Sequence, residues 1–129
     1  MEIALRGALL DWLSSDAALA AQLNAIVEEA PSRTSLPWLA IVASASTDWG
    51  CKTHPGREVR IALELNCRGD QPGAAAELIE GIEHRIDTFP RDQGRYRVAT
   101  IQFLRGRAEQ RGTSTRAILL EYRFRLLAE

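Results

Sequence analysis

The most reactive side chains in this chain gather around one short run, Cys51-Lys-Thr-His54, with Asp48 just before it and Cys67 further along. Cysteine, histidine and carboxylate are zinc-ligand types, and the two-residue gap between Cys51 and His54 is ligand-like. A structural zinc site wants two such close pairs, however, and the chain has one. Cys67 also falls in phase with apolar neighbours, where a free cysteine behaves as a small hydrophobe. The expectation is core packing for Cys67, a loop thiol at Cys51, and no metal.

A second set, Glu80, Glu83, His84 and Asp87, shares one helical face. It could bind a metal or move protons, but acid–base work needs a pKa shifted by burial. This face lies opposite the apolar stripe of its own helix and is expected to be solvated. His54 and His84 are the only histidines, and no Ser/His/Asp set can be named. Gly106 and Gly112 fall in a strand–strand connection, not before a helix N-terminus, so they do not form a phosphate loop. Arg105, Arg107 and Arg111 in that connection could contact phosphate, but no aromatic residue is interleaved for base stacking. Neither catalytic residues nor a cofactor are expected.

Two features resist a solvated reading. Trp49 stands in a polar stretch beside Gly50, where an exposed indole is costly unless it docks. The run Leu36-Pro-Trp-Leu-Ala-Ile-Val-Ala43 is apolar on both sides, as in a strand covered on both faces or lying against another subunit. Trp49, Arg105, Arg107 and Arg111 are therefore the candidate interface residues. The alternatives are an enclosed loop and an inner strand within one chain, and a hairpin tip that is simply solvated.

The elements that must position these residues are organised around Arg57–Arg68. Val59, Ile61, Leu63, Leu65 and Cys67 alternate strictly with Glu58, Arg60, Glu64, Asn66 and Arg68. Period-two patterning of this length predicts a central strand of an antiparallel sheet, one face in a core and one in water. Upstream, Ile3, Leu5, Leu9, Trp12 and Leu13 predict a helix over Glu2–Ser14 with a wide apolar face. Ser15 and Asp16 stop it and cap a short turn over Ala17–Leu23. Ala25–Glu28 reads as a short edge strand and Ala30–Ser35 as a loop. The Leu36–Ala43 strand pairs with the central one across a long connection, Ser44–Gly56, and loops of that length are usually functional or mobile.

After Pro72 and Gly73, Ala75, Leu78, Ile79, Ile82, Ile86 and Phe89 form the apolar stripe of a second long helix, ended by Pro90. Arg97–Leu104 follows as a strand with Ala99, Ile101 and Phe103 toward the core. Arg105–Ser114 reads as a polar loop, and Thr115–Leu127 as a last alternating strand. The expected architecture is α+β: a mostly antiparallel sheet of four to five strands, with two main helices packed on one face.

Composition bounds the rest. At 129 residues, with 46% hydrophobic and 26% charged residues, the chain is expected to be a single globular domain over 1–129. No apolar run reaches the length of a membrane span, and the first residues lack a signal-peptide pattern, so folding in a reducing cytoplasm is expected. A net charge of −1 argues against broad polyanion binding. The charge is uneven: Glu2, Asp11, Asp16, Glu28 and Glu29 dominate the start, and arginines dominate from Arg91 onward. Such asymmetry suits a chain complementary to its own copy, or simple internal pairing.

Taken in order, the chain resembles a known family. An amphipathic helix with Leu5 and Leu9 leads to Asp16-Ala-Ala-Leu-Ala-Ala, and a loop delivers Leu36-Pro37-Trp38-Leu39 into a strand. The alternating strand, a Gly/Pro break, a helix and the ending Ile118-Leu-Leu-Glu-Tyr-Arg-Phe-Arg125 follow. This is similar to the tail terminator, or tail-completion, proteins of long-tailed phages and phage-like gene transfer agents, over nearly the whole chain. The resemblance implies a structural virion-assembly protein and not an enzyme. It implies a homo-oligomer, a hexameric ring that caps the head-proximal end of the tail tube and stops its growth. The implied partners are the tail tube protein and a head-completion (connector) protein, with DNA passing through without sequence-specific binding. The implied place is the assembled particle, reached from the host cytoplasm. A small ligand-binding or enzymatic α+β domain, or a dimeric module unrelated to phage, remains the alternative.

Overall fold

The computed structural model describes residues 1–29, 34–69 and 72–129. In chain order the elements are α1 (Glu2–Ser14), α2 (Ala17–Gln22), β1 (Ala25–Val27), β2 (Trp38–Asp48), β3 (Gly56–Arg68), α3 (Pro72–Asp87), β4 (Tyr96–Arg111) and β5 (Thr115–Ala128). The strands form one sheet in the order β1-β2-β3-β5-β4. β1 runs parallel to β2, and every other neighbouring pair is antiparallel. This is the expected α+β architecture.

β3 is central because its alternation lets it serve two faces at once. Val59, Ile61, Leu63 and Leu65 are fully buried, and Cys67 nearly so. Their cross-strand partners on β5 include Leu120, Tyr122 and Phe124, which are buried too. Onto this layer α1 lays Leu5, Leu9 and Leu13, and α3 lays Ala75, Leu78, Ile82 and Ile86. Phe89, just past α3, meets Phe124 edge-on with ring centroids 6.2 Å apart, a favoured aromatic geometry. Burying each such side chain contributes about 1.5–3 kcal/mol. Ile3 was expected on this face but is 71% exposed. The buried stripe of α1 repeats every fourth residue, and Ile3 lies on the far side of that stripe.

Arg85 fastens the helices together. Its guanidinium lies 3.4 Å from the centre of the Trp12 ring and donates to the Trp12 carbonyl and the Ser15 hydroxyl. In return the Trp12 indole donates to the Arg85 carbonyl at 2.7 Å. Asp16 caps α2 as expected, accepting from the amides of Ala18 and Leu19.

The structure corrects three expectations. The connection between β2 and β3 is much shorter than Ser44–Gly56. After a bulge between Ile41 and Ala43, β2 continues through Asp48, and Gly56 already opens β3. Small Ala, Ser and Thr side chains carry little hydrophobic periodicity, so pattern alone cannot see this half of the strand. Gly56 is required here: a Cβ would come within 2.7 Å of the Leu126 carbonyl and 2.8 Å of that of Trp49.

Nor is Arg105–Ser114 a loop. β4 runs to Arg111 and β5 resumes at Thr115, leaving a turn at 112–114 that uses the positive φ of Gly112. The phase of β4 also differs from Ala99-Ile101-Phe103. Tyr96 and Val98 are the buried residues, and a register shift between Val98 and Thr100 leaves Ala99 exposed. Ile101 and Phe103 then return to the core side, paired with Phe124 and Tyr122. Helices do not cover Phe103, which stays 45% exposed with its ring against Tyr122. The loop expected at Ala30–Ser35 lies partly outside the described residues, since 30–33 are not among them.

Candidate functional site

The face of the sheet away from the helices is built from the polar halves of the same alternations. Across β3 and β5 the opposed residues are Glu58 and Arg125, Arg60 and Arg123, Ala62 and Glu121, Glu64 and Leu119, and Asn66 and Ala117. β4 adds Gln102 beside Arg123, Arg105 beside Glu121, Arg107 beside Leu119 and Glu109 beside Ala117. The result is a lattice of charges rather than an apolar surface. Glu58 takes Arg125 at 3.0 Å and Arg123 at 3.8 Å, and Arg105 meets Glu121 at 2.6 Å.

Arg111 makes the longest reach. It crosses β5 over the small, buried Ala117 to donate to both oxygens of Glu64 on β3, at 2.8 and 3.3 Å. It also meets Glu109 at 2.9 Å. Glu64 further accepts from the Asn66 amide at 2.9 Å. The hydrogen bonds that Arg111 donates to Glu64, and then that to Glu109, hold its guanidinium above its ordinary pKa. Arg60 and Arg123 stand directly opposite as like charges, an unfavourable pair, and the Arg123 Nε is buried without a hydrogen-bond partner. Arg123 answers Glu58 and also donates to the Gln102 side-chain oxygen.

Arg105, Arg107 and Arg111 thus lie together along one exposed strand, each with a carboxylate of its own chain; Arg107 meets Glu109 at 3.5 Å. These carboxylates belong to β3, β4 and β5, and the early acids Glu28 and Asp16 pair with Arg6 and Arg85, so no ion pair among the described residues joins the acidic start to the arginines from Arg91 onward. Trp49 is elsewhere, at the β2–β3 connection, half-buried with its ring 5.4 Å from the Arg125 guanidinium. Its amide donates to the Gly56 carbonyl, and the Ala128 amide to the Pro55 carbonyl, which ties that turn to the end of β5.

The cysteine–histidine set is not brought together. Cys51 and His54 stand at the Gly56 end of β3, and Cys67 near its other end, opposite Arg116. At about 3.3 Å per residue along a strand, that separation is far beyond shared coordination. The Thr53 hydroxyl lies 3.4 Å from the Cys51 sulfur and 3.0 Å from His54 Nδ1. Hydrogen bonds from the Thr53 side chain first, then its backbone, bring the exposed Cys51 thiol down to about 7. Burial pushes the Cys67 thiol up. Glu80, His84 and Asp87 are exposed on α3, as the helical phase required. A hollow of about 300 Å³ between Leu36, Pro37, Cys67, Arg68, Ala75 and Leu78 brings no acid and base together among its lining residues.

The family model of tail completion protein gp17 matches residues 7–127 of this chain. The chain belongs to that family. Its fold is similar to a chain in the virion of a native gene transfer agent (GTA) particle, with a TM-score of 0.81 over 97% of this chain and 95% of that one, at 20% identity. No curated protein sequence matches it. In this tail completion protein the chemistry presented outward is the ion-pair lattice of the sheet face and the two strand edges.

The polar half of β3 and the arginines of β5 were visible in the sequence as alternation. That they form one lattice with β4 was not, because the β3–β5 pairing spans the whole of α3 and β4. The signal available was charge: Glu58 on β3 faces Arg125 on β5 once the two strands are laid antiparallel.

Proposed function

We propose that this chain is a non-enzymatic structural subunit that closes the head-proximal end of a tail tube as a hexameric ring. It stops tube growth and offers its other side to head-completion proteins. The supporting observation is the family match over 7–127, joined to a fold whose outward chemistry is a sheet surface and two strand edges. DNA passes through the ring without sequence-specific contacts; Arg105, Arg107, Arg111 and Arg125 of the sheet face are engaged with Glu121, Glu109, Glu64 and Glu58 of the same chain. The protein works in the assembled particle after meeting its partners in the host cytoplasm. No helix among the described residues is long and apolar enough to cross a membrane.

Deleting the gene in a producing cell tests this. Tails of uncontrolled length, or tails without heads, are expected by electron microscopy. Normal particles from the deletion strain would sink the terminator reading.

A further inference from the structure

The sheet has two open edges, and their chemistries are complementary. β1 pairs only with Trp38–Ala40, so beyond the bulge the outer edge of β2, Ala43–Asp48, has no partner strand among the described residues. The start of β4 is bridged on its outer side by Asp92 at Arg97, but Arg105–Arg111 is bonded on one side only among the described residues, to β5. A strand edge presents a row of unpaired amides and carbonyls ready to accept another strand. β2 and β4 run in opposite directions, since each step β2-β3-β5-β4 is antiparallel. A second copy placed beside the first in the same orientation therefore meets it with an antiparallel pair.

We propose that copies of this chain join by sheet extension, with Arg105–Arg111 of one β4 adding antiparallel onto Ala43–Asp48 of the next copy's β2. This rests on the ring reading and supplies its contact. Both segments are regular: the register shifts lie before Ala43 on β2 and before Arg105 on β4. Their side chains fit by size. Ala43, Ala45 and Thr47 share the lattice face, opposed to Ala62, Arg60 and Glu58, and leave room for the stems of Arg105, Arg107 and Arg111. On that face the acidic residue next to the β2 edge is Glu58, beside Thr47. Asp48, Glu28 and Glu2 lie toward the helix side, engaged with Arg57, Arg6 and Ser44 of their own chain.

The exposed large apolar residues among those described sit at the same two edges. Val42 is in β2, 40% exposed. Met1 and Ile3 flank Glu2, which takes a hydrogen bond from the Ser44 hydroxyl of β2 at 2.5 Å. Phe103 is in β4. Edge-to-different-edge contact is heterologous, the kind that closes a ring. Two-fold pairing of two β4 edges would bring two arginine rows together.

Cross-linking in a Cys51→Ser background, which removes the exposed thiol, decides it. Ala45→Cys and Arg107→Cys are made singly and mixed in the presence of the tail tube, with a short bismaleimide to span small differences of register. Covalent dimers are expected in the mixture and in neither single variant. The A45C/R107C double variant should give a ladder of multimers that ends at the ring. Self-linking of a single variant would mean two-fold pairing and would overturn the proposal. So would links to the tube protein alone. Rings seen by electron microscopy without any β2–β4 link would overturn this contact and leave the ring reading standing. Absence of rings with wild-type protein would overturn the ring reading, and the proposal with it.

Discussion

Trp49 shows how a residue's role depends on what lies beneath it. From its polar neighbours it looks like a side chain waiting for a partner. In the fold it already has a seat, over an Arg125 that is held in turn by Glu58. Cation–π contacts of this kind contribute about 0.5–1 kcal/mol at exposed sites and more when desolvated. Trp49→Ala is therefore expected to lower the melting temperature by a few degrees, the response of a domain this size to about 1 kcal/mol. Differential scanning calorimetry of the free subunit measures it. An unchanged Tm would mean that the indole is spent on a neighbour rather than on its own chain.

At the level of elements, the β4–β5 hairpin is held down by Arg111 reaching Glu64 across Ala117. The reach exists only because position 117 is small and almost fully buried. Ala117→Leu is expected to break it twice over, by lifting the guanidinium and by overpacking, which typically costs about 1–3 kcal/mol. Arg111→Ala removes the ion pair alone and should cost about 1 kcal/mol or less, because half-exposed pairs are screened. Urea unfolding of the two variants separates these effects. Equal losses would show that the bridge, and not the packing around Ala117, stabilises the hairpin.

For the whole molecule, charge is arranged so that the lattice face satisfies much of itself while the two edges stay unlike. Rim charges of this kind act mainly on encounter rate and salt sensitivity. Ring formation is expected to slow and weaken as salt rises from low to physiological strength. R105Q/R107Q/R111Q should flatten that salt dependence while leaving the fold intact by circular dichroism. Light scattering against salt concentration reads both. A wild-type assembly indifferent to salt would show that apolar contacts such as Phe103 and Val42, not the arginines, govern the encounter.

Local pattern determined the parts of this protein whose periodicity is strong. The alternation of Val59, Ile61, Leu63 and Leu65 made β3 central, and the stripes of α1 and α3 placed two helices on one face. Asp16 marked a cap, and the order of elements carried the likeness to tail-completion proteins. Tertiary structure decided whatever depends on residues facing water on both sides. Ser44–Asp48 and Arg105–Arg111 have no apolar phase to read, yet both are strand, because the neighbouring β3 and β5 supply hydrogen-bond partners along their full length. The same pairing turned three arginines expected in a loop into one row along an open edge, and put Cys51 and Cys67 at opposite ends of the sheet. Spacing along the chain could not give that, because β5 reaches β3 only after a helix and another strand have passed between them.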